Sequence, residues 1–192
     1  PKARLYGGEF EYRTRFTMPG EGWMSEQDWL FSVNYTYTES EIVANAGDMV
    51  VERDGDLVDA TSFGLDGSPL VGTPKHIVNS QLGWEGENTQ FTMLVGWVGE
   101  RLLARGESLN KQNRLLDVYE KPGVQLDAVL RHDVNIQGVD FTIGLAARNL
   151  LGTRHIEEQR GVDDELRAPG GIADFNTYDR GRSVSASLTA KF

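Results

Sequence analysis

Apolar and polar residues alternate with a period of two along seven stretches of the chain. The first runs from about Leu5 to Met18, with Phe10, Tyr12, Phe16 and Met18 on one side. Glu9, Glu11, Arg13, Arg15 and Thr17 take the other side. The second, Asp28 to about Ile42, sets Trp29, Phe31, Val33, Tyr35 and Tyr37 against Leu30, Ser32, Asn34, Thr36 and Thr38. The third, about Thr73 to Trp84, carries Val78, Leu82 and Trp84, and the fourth, Thr89 to Leu103, carries Phe91, Met93, Val95 and Trp97. The fifth follows Pro122 and sets Val124, Leu126, Ala128 and Leu130 against Gln125, Asp127 and Arg131. The sixth, Val139 to Leu151, sets Val139, Phe141, Ile143, Leu145 and Ala147 against Asp140, Thr142, Gly144 and Arg148. The seventh closes the chain, with Val184, Ala186, Leu188, Ala190 and Phe192 opposite serines, Thr189 and Lys191. Successive side chains of a strand point to opposite faces, so each stretch predicts a strand with one apolar and one polar face. Helical spacing fits none of them better, and β-branched and aromatic residues fill them. The predicted class is all-β.

The connections add an asymmetry. In order they are about Pro19–Gln27, Val43–Gly72, Glu85–Asn88, Ala104–Tyr119, Asn135–Gly138 and Gly152–Thr177, short and long in strict alternation. An antiparallel meander with that alternation has turns at one end and long loops at the other, as outer-membrane barrels do. Phe16, Trp29, Phe31, Trp84, Phe91, Phe141 and Phe192 fall near the turn ends, and Tyr35, Tyr37 and Trp97 near the loop ends. Two such groups predict the paired aromatic girdles of a barrel wall. The apolar sides carry no charge through their middles, whereas the polar sides carry Asp127, Arg131, Asp140 and Arg148. A charge in hydrocarbon costs about 2–4 kcal/mol at mid-depth, which gives this sorting a physical cause. The competing reading is a soluble, secreted β-rich binding module whose polar side is simply the wet one.

Composition narrows the choice. The net charge is −10 with no basic stripe, which argues against nucleic acid as a partner. Cysteine is absent, so disulfides and thiolate metal sites are excluded. No apolar run reaches the length of a membrane-spanning helix, a fact without bearing on barrels. An odd number of strands, with the chain starting at Pro1 rather than Met, predicts the C-terminal portion of a larger barrel.

Several segments then carry a resemblance. "GGEFEYRTRF" resembles the G-x-E strand of TonB-dependent outer-membrane receptors, and "LFSVNYTYTESE" resembles the N-Y-T-Y segment that follows it. "GTPKHIVNSQLGWE", "GLAARNLLGTRH" and "YDRGRSVSASLTAKF" are similar to three further strands of that family, in the family's order. Gly152-Thr153-Arg154 departs from the usual Asp-Lys stretch, and Ala190 stands where an aromatic is common. The resemblance implies a transmembrane barrel of about 22 strands around a plug, of which this chain supplies about the last seven. It implies TonB-dependent import of a scarce ligand such as a ferric siderophore, cobalamin, haem, a sugar or a peptide. The implied partners are the other barrel strands, the plug domain, TonB, the lipid bilayer and the barrel-assembly machinery. The terminal Phe192 with Leu188 resembles the signal that this machinery reads.

For site residues the polar sides offer Glu9, Glu11, Arg13, Arg15, Asp127, Arg131, Asp140 and Arg148, as lumen-facing contacts for plug or ligand or as cross-strand charge pairs. The acid-rich loop from Asp48 to Gly67 could offer oxygen ligands to Ca²⁺, but lacks EF-hand spacing. His76, His132 and His155 stand in separate segments, so no zinc site is expected. His155 with Asp163 and Asp164 is the nearest approach to a catalytic set, and no nucleophile elbow accompanies it. Neither an enzyme nor a cofactor is expected.

Overall fold

The structure, a computed structural model, describes residues 1–51, 55–63, 65–106, 108–110, 113–114, 116–160 and 171–191. Its strands in chain order begin with β1 (Lys2–Thr17), β2 (Asp28–Val43), β3 (Met49–Val51), β4 (Leu57–Asp59) and β5 (His76–Glu85). They continue with β6 (Thr89–Val98), β7 (Arg101–Ala104), β8 (Ser108–Asn110), β9 (Asn113–Arg114) and β10 (Asp117–Glu120). The last five are β11 (Gly123–Ile136), β12 (Val139–Arg148), β13 (Arg154–Arg160), β14 (Ile172–Asp179) and β15 (Ser183–Lys191).

Seven of these form one antiparallel wall in the order β1-β2-β5-β6-β11-β12-β15. They coincide with the seven alternating stretches of the sequence, to within a few residues. The third begins at His76 rather than Thr73, the fourth divides at Gly99–Glu100, and the sixth ends at Arg148. Phe192 lies outside the described residues.

The register joins the apolar sides across the whole wall. Phe16 lies opposite Trp29, Trp29 opposite Trp84, and Trp84 opposite Phe91. Further along, Leu130 lies opposite Leu145, and Leu145 opposite Ala186. Because side chains alternate, one shift of register would send every one of these to the wrong face. The face they share is uncovered: Val184 is 77% exposed, Leu188 68% and Leu145 43%. A soluble domain rarely leaves a contiguous apolar surface of this kind open. Rings mark its two ends. Near the turns, Phe16 packs on Trp29, Trp84 on Phe91, and Trp23 edge-on to Trp84. Near the long connections, His76 packs against Tyr35, Tyr37 and Trp97, and its Nδ1 lies 2.9 Å from the Tyr35 hydroxyl. His76 and Trp84 are eight residues apart on β5, about 26 Å along a strand. Tilted by about 40°, that span leaves about 20 Å, near the height of a barrel's apolar band.

The tightest turn, between β11 and β12, is made by Gln137 and Gly138, with φ of 54° and 84°. Two positive φ values in a row belong to a type I′ turn, whose twist matches the flanking strands.

The long connections differ from the expectation of plain loops. A second sheet of four strands, in the order β7-β10-β13-β14, rises above the wall. Each member prolongs a wall strand, β7 from β6, β13 from β12, and β10 and β14 leading into β11 and β15. The four passes keep their neighbours, so the outer sheet continues the wall beyond a common line of breaks at Gly99–Glu100, Lys121–Pro122, 149–153 and 180–182. The Asp48–Gly67 segment holds the hairpin β3–β4 and a short 3-10 helix, Ala60–Phe63.

Candidate functional site: the polar face and the outer sheet

All eight charged residues singled out in the sequence stand on the wall's polar face. Glu11 lies opposite Asn34, which lies opposite Asn79, then Gly96 and Gln125. Arg13, Ser32, Gln81, Leu94 and Asp127 make the next row. The eight are not brought together into one site. Glu9, Glu11, Arg13 and Arg15 form an exposed ladder along β1, acids toward the long connections and bases toward the turns. On β11 and β12 the charges have local partners: Arg131 pairs with Asp133 at 3.4 Å, and Asp140 accepts from Asn135 at 2.6 Å.

Between these regions the polar face forms a concavity of about 480 Å³. Asn34, Asn79, Gln81 and Gln125 line it with amides, Glu11 and Asp127 add carboxylates, and Arg180 reaches its rim from the line of breaks. Amides both donate and accept, so such a surface takes water, backbone or polar ligand atoms without demanding one charge.

Asn149 organises the line of breaks. It is buried, with φ of 53°, a left-handed conformation that asparagine tolerates better than most residues. Its N–H donates to Asp127 Oδ1 at 2.8 Å, and its side-chain amide donates to the carbonyls of Thr153 and Gly181. Its Oδ1 accepts from the Thr153 N–H at 2.8 Å. One side chain thus ties β12 to the segments leading into β13 and β15.

The outer sheet buries Leu102 of β7 and Val118 of β10 and is cross-linked by charges. Arg101 on β7 bonds Glu120 on β10 through Nε at 2.7 Å and Nη2 at 2.6 Å. Lys121 bonds Glu158 at 2.8 Å, and Arg160 bonds Glu100 and Glu158 while its guanidinium lies 4.7 Å from the centre of the Tyr119 ring. The Lys121 ammonium holds the Glu158 carboxyl below its ordinary range, against the opposing effect of burial and with help from Arg160. The Arg160 guanidinium is raised, chiefly by its bond to Glu100.

His155 is buried in this sheet, with Nε2 2.5 Å from Glu157 and Nδ1 3.1 Å from an Arg180 nitrogen. The Asp163 and Asp164 considered beside it lie outside the described residues. Three acids of the Asp48–Gly67 segment bond nearby backbone. Asp48 accepts from the Asn45 N–H, Asp59 from Gly47 and Thr61, and Asp66 from the Ala44 N–H. Backbone bonds hold the Asp48 and Asp59 carboxyls below their ordinary range, at Asp59 after the Thr61 hydroxyl. Among the described residues no three metal-ligating side chains come together.

The sequence did not single out Asn149, Glu120, Arg101, Glu157 or Arg180. "DVYE" and "RHIEEQR" are the only signal: short runs with charge on both sides, which read as loop because neither side is apolar.

A protein-family model described as TonB dependent receptor-like, beta-barrel matches residues 1–150. The chain belongs to this family. Comparison with curated proteins and with solved structures finds no match. The matched range covers the wall from β1 through β12 and ends before the outer sheet's last two strands and β15. Membership decides between barrel wall and soluble module, and it makes the uncovered apolar face a lipid face. Receptors of this family are transporters of the outer membrane that depend on TonB and carry a plug.

Proposed function

We propose that this chain supplies wall and external surface to a receptor that imports a scarce ligand across the bacterial outer membrane. That ligand is of the class of ferric siderophores, cobalamin, sugars or peptides. The observation that carries the reading is the single register uniting seven apolar half-faces into one surface about as tall as a bilayer's apolar core. The outer edges of β1 and β15 have no partner among the described residues. Unpaired backbone in hydrocarbon costs several kcal/mol per group, so further strands of the same receptor must cover them. The chain is then one portion of the barrel domain.

In this reading the polar face looks into the lumen. The ladder Glu9, Glu11, Arg13 and Arg15, with Arg148, meets plug or ligand, while Asp127, Arg131 and Asp140 first serve the wall. The outer sheet and the Asp48–Gly67 segment form part of the external vestibule. Leu188, with Phe192, serves the assembly machinery.

The test uses the full receptor. It is expected to require detergent for extraction and to confer uptake of one of radiolabelled ferrichrome, cobalamin or maltodextrin only in cells that have TonB. Recovery as a folded monomer from detergent-free buffer would sink the reading, as would uptake indifferent to TonB.

A further inference from the structure

His155 and Arg180 connect the two regions of the molecule. A carboxylate only accepts, so the imidazole carries its hydrogen on Nε2, 2.5 Å from Glu157 Oε1. A guanidinium only donates, so Nδ1 is the bare nitrogen that receives Arg180 at 3.1 Å. Glu120 Oε1 stands 3.7 Å from the same Nδ1, while its Oε2 is occupied by Arg101. Tyr178 covers the ring at 4.7 Å between centroids. The charged and titratable groups facing the imidazole are therefore Glu157 from its own strand, Glu120 from β10 with Arg101 of β7 behind it, Tyr178 from β14, and Arg180. The other end of this arrangement is the lumen-side concavity, whose lining the exposed Arg180 joins.

We infer that His155 and Arg180 form a proton-operated latch between the outer sheet and the concavity. With a bare Nδ1 the imidazole holds the guanidinium at the sheet. When Nδ1 takes a proton from solvent, a second donor and a second positive charge face Arg180, and the bond cannot persist. The new Nδ1–H has a waiting acceptor in Glu120 Oε1, and the displaced guanidinium swings free over the concavity whose lining Arg180 already joins. One proton from solvent becomes the Nδ1–H bond and no other covalent bond changes. Imidazole is the side chain suited to such an exchange. The consequence for import rests on the concavity facing the lumen, as proposed above; the exchange itself does not.

The chain has no cysteine, and arginine-directed chemistry reads the arm directly. The purified full receptor is treated with phenylglyoxal, and modification of Arg180 is measured by mass spectrometry relative to the exposed Arg4. In the wild type this ratio is expected to rise about threefold or more between about pH 7.5 and about pH 6.0, and to stay flat in His155→Gln. A wild-type ratio that does not move, or a His155→Gln ratio that moves as much, overturns the latch. Heat-modifiable mobility on gels checks that each variant is folded. If His155→Gln is not, Glu120→Gln takes its place and is expected to reduce the rise by removing the negative charge that favours the protonated ring; an undiminished rise overturns the proposal. A flat ratio leaves TonB-dependent uptake standing, and loss of that uptake leaves the ratio readable.

Discussion

The same four chain passes build two sheets that cohere for different reasons. Below the line of breaks, β6, β11, β12 and β15 alternate apolar and polar side chains, and their apolar side is left bare. Above it, β10, β13 and β14 carry charge on both sides, and the sheet buries Glu120 and His155 beside arginines as well as Leu102 and Val118. Strand order and neighbours do not change across the line. What changes is the solvent. In lipid a strand needs an uncharged outer side and gains nothing from ion pairs there. In water the same pairing continues over a small buried apolar cluster, Leu102 and Val118, with partly buried charge pairs and an asparagine hub pinning the strands.

That contrast can be broken first on the wall. Leu145→Arg on the lipid side is expected to cost about 2–4 kcal/mol of folding free energy in bilayers, measured by denaturant titration, while Ser185→Arg on the polar side costs a small fraction of it. Equal costs would mean that the two faces are not differently solvated. The outer sheet answers to a different change. Arg101→Met leaves the Glu120 carboxylate buried without its main partner and is expected to cost about 2–3 kcal/mol locally. Hydrogen exchange should then quicken in β7 and β10 but not in β1 or β2. The hub comes next: Asn149→Ala removes one acceptor and two donations at the line of breaks, for a local cost of about 2 kcal/mol. Exchange should rise at 150–155 and 179–182 with the wall strands unchanged. Exchange rising along all of β12 instead would show that the two sheets open as one.

The smallest effect is in pH. The Glu158 carboxyl is depressed when folded, so its contribution is complete above the ordinary carboxylate pKa, about 4.3, and is lost as pH falls through the depressed value. Acidification into that range should loosen β10 and β13 by exchange before it touches the wall. Glu158→Gln should flatten the dependence.

The wall was legible because its physics is local. A period of two needs only neighbours in sequence, and Phe10, Tyr12, Phe16 against Glu11, Arg13, Arg15 states both faces without any knowledge of the partner strand. The outer sheet was not, since residues such as Glu120 and Glu157 become a pair only when β10 and β13 lie side by side. His155 shows the same limit. Among the described residues its contacts include Glu157, Arg180 and Glu120, the last two brought in by pairing. The candidate charges were all placed on the polar face by parity, yet parity could not say which of them were already satisfied.

The sequence by itself determined the class of fold, the number and course of the wall strands, and which side of each is apolar. Alternation of apolar and polar residues is a local property that needs no partner strand to be read. Only the tertiary structure decided that the long connections of the last four passes continue the wall as a second sheet, and that Asn149 fastens the two. It alone set a buried histidine between Glu157 and the Arg180 arm. Those features depend on distances between residues far apart in the chain, which no local period records.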